Sequence, residues 1–161
     1  MIVEISGDIK CDGNDASRVT DFGAKLGTAL DILAKGDPNA RIFLVSAWGS
    51  FPSYVAYLKG LSTSVRLKHA GKSQCQMVAA PSGQVVPSHV AYLEKIVNAY
   101  DAQLAAVCSR LAHCHYDGGV AERMSVNADD ITVDQNHLTV QGQAKLAVTE
   151  WAMITKFVNG F

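Results

Sequence analysis

Hydrophobic positions recur at helical spacing in three stretches of the chain. Phe22, Leu26, Ala29, Leu30 and Leu33 share one face of a segment from about Thr20 to Lys35, which Gly36-Asp37-Pro38 brings to a stop. Val90, Leu93, Val97, Tyr100, Leu104, Val107 and Leu111 form a longer stripe from Pro87 to about Ala112, with Pro87 suited to a first helical turn. Leu146, Ala147, Trp151, Ile154 and Val158 form a third stripe between Thr139 and Val158, and predict a helix that buries them. Arg41 to Ser46 is instead a continuous apolar run of strand length, the pattern of a buried parallel strand. Residues 2–6 are also β-rich and stop at Gly7, and a short strand is expected over Cys114–Tyr116. Residues 48–86, interrupted by Gly49, Pro52, Gly60, Gly71, Pro81 and Gly83, predict short helices and long loops.

Strands alternating with helices predict an α/β fold, a parallel sheet with helices on both faces. Ligands of such sheets bind beyond the carboxyl ends of the strands. Residues 7–15, 47–52 and 117–137 follow strands and are expected to converge on one rim. Nothing resembling a linker, repeat or low-complexity tract divides residues 1–161, so one domain is expected.

Composition narrows the class. With 48% apolar and 18% charged residues the chain is globular, and a net charge of −1 offers no field for nucleic acid or an anionic membrane. No apolar run reaches the roughly 18 residues of a membrane span, and Met1 leads straight into Ile2-Val3-Glu4-Ile5 without the pattern of a signal peptide. Cys11, Cys75, Cys108 and Cys114 include no C-x-x-C pair, which disfavours a zinc ribbon. Four cysteines permit three pairings. The short Cys108–Cys114 loop at a helix end suggests that bridge and, by remainder, Cys11–Cys75; four reduced, buried thiols are the alternative.

Asp134-Gln135-Asn136-His137-Leu138, just ahead of the last helix, carries the strongest chemical signal. A carboxylate three residues before a histidine can fold back on the ring, fix its tautomer and stabilise the imidazolium, so that the other nitrogen can take a proton from a nucleophile. The plain alternative is a helix-capping acid beside a surface histidine. Ser6-Gly7-Asp8 and Gly13-Asn14-Asp15 follow the first strand, where a glycine N–H or an Asn amide could donate to an oxyanion; a glycine-rich turn with a capping acid is the alternative. Trp48, Tyr54 and Tyr57 are candidates to line an acyl or sugar pocket, or simply to pack in the core. His113 and His115 flank Cys114 but lack a third metal ligand at suitable spacing, and His69 and His89 carry no pattern. No metal or cofactor is called for.

Asp134-x-x-His137-Leu138 with Gly142-Gln143-Ala144 resembles the last block of the SGNH/GDSL hydrolase superfamily, particularly its secreted, disulfide-bonded actinobacterial-type esterases and lipases. Residues 3–11, Val-Glu-Ile-Ser-Gly-Asp-Ile-Lys-Cys, are similar to the strand and turn that carry the family's G-x-N-D block, and Asn39-Ala40-Arg41-Ile42-Phe43 resembles its next strand. The resemblance implies a three-layer α/β/α, flavodoxin-like parallel sheet, and an ester hydrolase in which Asp134 and His137 serve a serine. It implies oxyanion donors among Gly7, Asp8 and Asn14, a pocket near Trp48 and Tyr54, both disulfides, and a secreted protein acting on an acyl ester or acetylated sugar.

The chain departs from that family at its other end. The G-D-S nucleophile block is absent, because Ile9 follows Gly7-Asp8, and so is the second glycine block. Aligning on Cys11 puts Asp8 where the family has the oxyanion-hole asparagine, and a carboxylate there would repel an oxyanion. The expected sheet therefore lacks its first strand, with Met1 an internal start or a naturally short, degenerate protein as the alternatives. An edge left open in this way is expected to self-associate or to take a complementing N-terminal segment. Little or no turnover is expected of the chain alone. A non-catalytic carbohydrate- or acyl-binding module on the same scaffold is the alternative function.

Overall fold

A computed structural model describes residues 9–70 and 74–160, and the backbone but not the side chains of His69 and Gln74. The strand expected over residues 2–6, the serine at 6 and the oxyanion candidates Gly7 and Asp8 lie outside the described residues.

Helix α1 spans Asp15–Gly36 and buries Val19, Phe22, Leu26 and Leu30. It begins five residues before Thr20, because the Asn14 carbonyl already accepts the N–H groups of Ser17 and Arg18 at 3.2 and 3.3 Å. Strand β1 is Ile42–Leu44. Helices α2 (Phe51–Gly60) and α3 (Thr63–His69) and a 3-10 turn at Gln74–Gln76 occupy the irregular stretch. Helix α4, Pro87–Cys108, buries Val90, Leu93, Ile96, Tyr100, Leu104 and Val107, and packs along α1, where Phe22 meets Tyr100 edge-on with ring centroids 5.0 Å apart. Strand β2, Cys114–Tyr116, lies parallel to β1 in the register Ile42–Cys114, Phe43–His115 and Leu44–Tyr116. Helix α5 is Val140–Asn159.

The three-layer, flavodoxin-like α/β/α sheet is not what forms. The molecule is mostly helical, and its sheet is the parallel β1–β2 pair alone among the described residues. The physical reason lies in the middle of the chain. Residues 48–86, which would have to add a strand, go into two helices and a 3-10 turn; among their described residues the β pairing is an isolated antiparallel bridge between Val78 and Val85. The main core is therefore α1 and α4 with the inner side of the strand pair, not a sheet sandwiched between helical layers.

Both disulfides form. Cys11–Cys75 ties the start of α1 to the 3-10 turn, and Cys108–Cys114 ties the end of α4 to β2. They are compatible with an oxidising, extracellular compartment. Among the described residues no helix is long and apolar enough to cross a membrane.

Helix α5 corrects a second expectation. Of the stripe predicted to be buried, Leu146 and Ile154 are half-buried, while Ala147, Trp151 and Val158 face water. The helix is held from its other side. Leu146 packs on a small cluster of Met124, Val126, Ile131 and Leu138, and Phe157 stacks on His115 with ring centroids 5.4 Å apart. Glu150, 3% exposed, points into the domain.

Candidate functional site

The loop before α5 is built to present residues 134–137. Ile131 and Leu138 are buried and bridge one another, and Thr132 N–H donates to the His137 carbonyl at 2.8 Å. The six residues between the bridged pair must reverse the chain. They do so with a turn closed by Gln135 N–H donating to Thr132 O at 2.9 Å, and with Gln135 in the left-handed region at φ 62°. That conformation is strained for a residue with a side chain, by about 1 kcal/mol or more. Tyr54 holds it from below: its hydroxyl donates to the Gln135 carbonyl at 2.8 Å. Gln135 is itself buried, and its side-chain nitrogen meets no acceptor among the described residues.

Within this turn Asp134 and His137 meet. His137 Nδ1 lies 2.6 Å from Asp134 Oδ2, and Asp134 Oδ1 accepts the backbone N–H groups of Asn136 at 2.9 Å and His137 at 3.1 Å. The Thr132 hydroxyl donates to Oδ1 as well. The hydrogen bonds from Thr132, then His137 and the Asn136 backbone, hold the Asp134 carboxyl well below the usual carboxylate range. A permanently ionised acid bonded to Nδ1 fixes the tautomer in which Nε2 is the basic nitrogen. Both side chains are at least half exposed, so reactants can reach them.

The other candidates are placed as follows. Tyr54 and Trp48 pack against the Met124, Val126, Ile131 and Leu138 cluster under the loop, so they support the turn before they line any pocket. Burial drives the Tyr54 hydroxyl far above its ordinary range, with Tyr57 and Asp134 adding to the effect. Asn14 sits exposed at the start of α1, where its N–H donates to Asp12 Oδ1 at 3.0 Å; it makes no hydrogen bond to the dyad. Asp15 is fully buried. Burial alone would raise its pKa, but hydrogen bonds from the Lys10 and Cys11 backbone and from Tyr92, with the nearby Arg18 charge, bring it below the usual range. Among the described residues no group of His, Cys, Asp and Glu is arranged to hold a metal ion, and His113 and His115 do not form one.

A second polar cluster, absent from the motif reading, ties together the loops that leave the two strands. Ser46 Oγ donates to Asp117 Oδ2 at 2.7 Å and accepts Glu122 N–H at 3.0 Å. Asp117 also accepts the N–H groups of Gly119 and Ala121, each at 3.0 Å. Asp101 on α4 accepts Ala47 N–H at 2.9 Å. Ser53 accepts Val126 N–H at 3.0 Å, and Ser50 N–H donates to Met124 O at 2.9 Å. These bonds bring residues 46–53 and 117–126 onto one rim, and they commit the Ser46 and Ser53 hydroxyls to holding loops. The one sequence signal for this cluster was its position, polar residues just past two strand ends.

Comparisons with protein-family models, with curated proteins and with solved structures find no match for this chain.

Proposed function

We propose that Asp134 and His137 are the acid–base part of an ester-hydrolysing centre of the Ser-His-Asp kind, the chemistry of the SGNH/GDSL enzymes that the last block of the sequence resembles. The observation that carries this reading is the 2.6 Å Nδ1–Oδ2 bond within a turn that already fixes Asp134 through three further donors. In the chemistry proposed, a serine hydroxyl attacks an ester carbonyl while His137 takes its proton. The protonated imidazole, held against Asp134, then gives that proton to the departing alcohol, and water releases the acyl group by the same two steps. The substrate class is a small acyl ester or acetylated sugar. Secretion fits the two disulfides.

The test is hydrolysis of p-nitrophenyl acetate and butyrate by the pure chain, beside labelling with a fluorophosphonate probe. The expected result is weak turnover that His137→Ala and Asp134→Asn reduce to background, with one labelled serine, for which Ser6 is the candidate. Turnover that survives His137→Ala removes the dyad from catalysis. A chain that neither turns over nor labels is the alternative, a non-catalytic carbohydrate- or acyl-binding module; half-buried Trp48 and Tyr57, near the dyad loop, are its recognition surface.

A further inference from the structure

The outward face of α5 is largely apolar. Val140, Val148 and Trp151 are 85%, 77% and 66% exposed, and Ala144, Ala147 and Val158 beside them are exposed too. The inward side carries the buried Gly142 and Glu150. At roughly 100° per residue the outward residues fall in one stripe, and Lys145 and Lys156 lie off it. Val140, Ala144, Ala147, Trp151, Ile154 and Val158 follow one another at alternating steps of four and three, the spacing of a heptad seam.

We propose that this face of α5 binds the same face of a second copy of the chain, with the two helices antiparallel. The order of side-chain sizes argues for this occupant. About a twofold axis at Thr149, Val140 opposes the second copy's Val158, Ala144 opposes its Ile154, and Ala147 opposes its Trp151. Each layer sets small against large or medium against medium, which fills the seam evenly. A parallel pair would stack Trp151 on Trp151 beside two alanine-on-alanine layers, leaving voids next to an overfilled one. A mirrored size order is what an isologous contact requires and what an unrelated partner would not. Val148 flanks the seam one residue from the axis, within reach of its own counterpart. No charged side chain lies on the stripe, so a second copy meets no like charge. Pairing along nearly the whole helix withdraws on the order of 1,000 Å² from water in total, at the lower bound for a specific interface. The dimer is therefore reversible and concentration-dependent.

Sedimentation equilibrium of the full chain over a dilution series tests the association. A monomer–dimer equilibrium is expected. Trp151→Glu is expected to raise the dimer Kd by about thirtyfold or more, the loss of a hot-spot residue converted at tenfold per 1.4 kcal/mol. Lys156→Glu, off the stripe, should leave it unchanged. Trp151 is largely exposed, so all three chains should share one circular dichroism spectrum. The native cysteines are all paired, so Val148→Cys introduces a single thiol that should cross-link to its counterpart under mild oxidation. A wild-type chain monomeric up to about 1 mM, where even a −4 kcal/mol association would show, overturns the proposal. So does a Trp151→Glu chain that dimerises as tightly as wild type. A Trp151-dependent dimer in which Val148→Cys fails to cross-link overturns the antiparallel arrangement.

Discussion

Replacing Glu150 by Gln should stabilise the protein at pH 8 and leave it unchanged near pH 4.5. Glu150 is 3% exposed, neither carboxyl oxygen meets a donor among the described residues, and the group it faces is the Asp117 carboxylate. Asp117 is already fully engaged by Ser46, Gly119 and Ala121, with Asp101 and Glu122 close enough to add negative potential around it. Burial, and then Asp117, push the Glu150 pKa from 4.5 to about 7. Between those values the folded state holds a proton that the unfolded state has lost, so stability falls as pH rises through the window and the loss is complete above it. The full shift corresponds to a ceiling of about 3 kcal/mol, and water reaching the edge of α5 screens this to about 1–2 kcal/mol. A glutamine cannot ionise, and its amide can donate to Asp117. Thermal unfolding of wild type and Glu150→Gln at pH 4.5, 6 and 8 is the assay, with the variant gaining roughly 2–8 °C at pH 8, about half of that at pH 6 and little at pH 4.5. Asp101, raised to about 6 by burial and by Glu122 and Asp117, leaves both proteins a smaller residual decline between about pH 4 and 6. An equal Tm difference at pH 4.5 and pH 8 would refute the carboxyl pair as the cause.

Three further outcomes are expected. Removing Cys11–Cys75 (Cys75→Ser with Cys11→Ser) should cost about 4 kcal/mol in denaturant unfolding, against about 2 kcal/mol for the Cys108–Cys114 pair, because the first closes a loop of 64 residues and the second one of 6. Gly142→Ala, a change that ordinarily favours a helix, should instead destabilise by more than about 2 kcal/mol, since a Cβ there would sit 2.2 Å from the Asp130 backbone oxygen; a stabilised variant contradicts the close approach. Tyr54→Phe should cost about 1 kcal/mol and speed amide exchange at Asn136 and His137, whereas unchanged exchange would show that the Gln135 turn stands without its hydroxyl prop.

Helix α4 and strand β2 were legible in the sequence because their information is local: a seven-residue stripe behind Pro87, and a short segment beside a cysteine that closes a tight loop. The sheet was not. Arg41–Ser46 has the apolar continuity of a central strand, yet only Ile42–Leu44 pairs, since parallel strands depend on partners far away in the chain. The orientation of α5 was illegible for a different reason. Periodicity locates an apolar stripe without saying which way it faces, and here the packing of Leu146 and an aromatic stack at Phe157 hold the opposite side of α5 against the domain and leave the stripe outward. Two apolar-compatible faces on one helix look the same as one buried face in a pattern.

The dyad explains why a motif can survive where the fold it suggests does not. Among the described residues, the hydrogen bonds that shape it come from the loop between Asp129 and Thr139, from Tyr54 and from the first turns of α5. Thr139 N–H donates to Asp130 O at 2.9 Å, Thr139 Oγ1 donates to Asp129 O at 2.6 Å, and Gly142 N–H returns to Thr139 Oγ1 at 3.1 Å. Asp130, buried, is held in turn by Lys145 one turn into α5, at 2.8 Å. Among the described residues the acid and the imidazole are thus positioned by the loop that leads into α5, and that loop is anchored on the first turns of the helix. A turn held so locally carries little information about the body that presents it. The proposed activity consequently stands or falls with what approaches His137, while the seam on the far side of the same helix decides how many such sites come together.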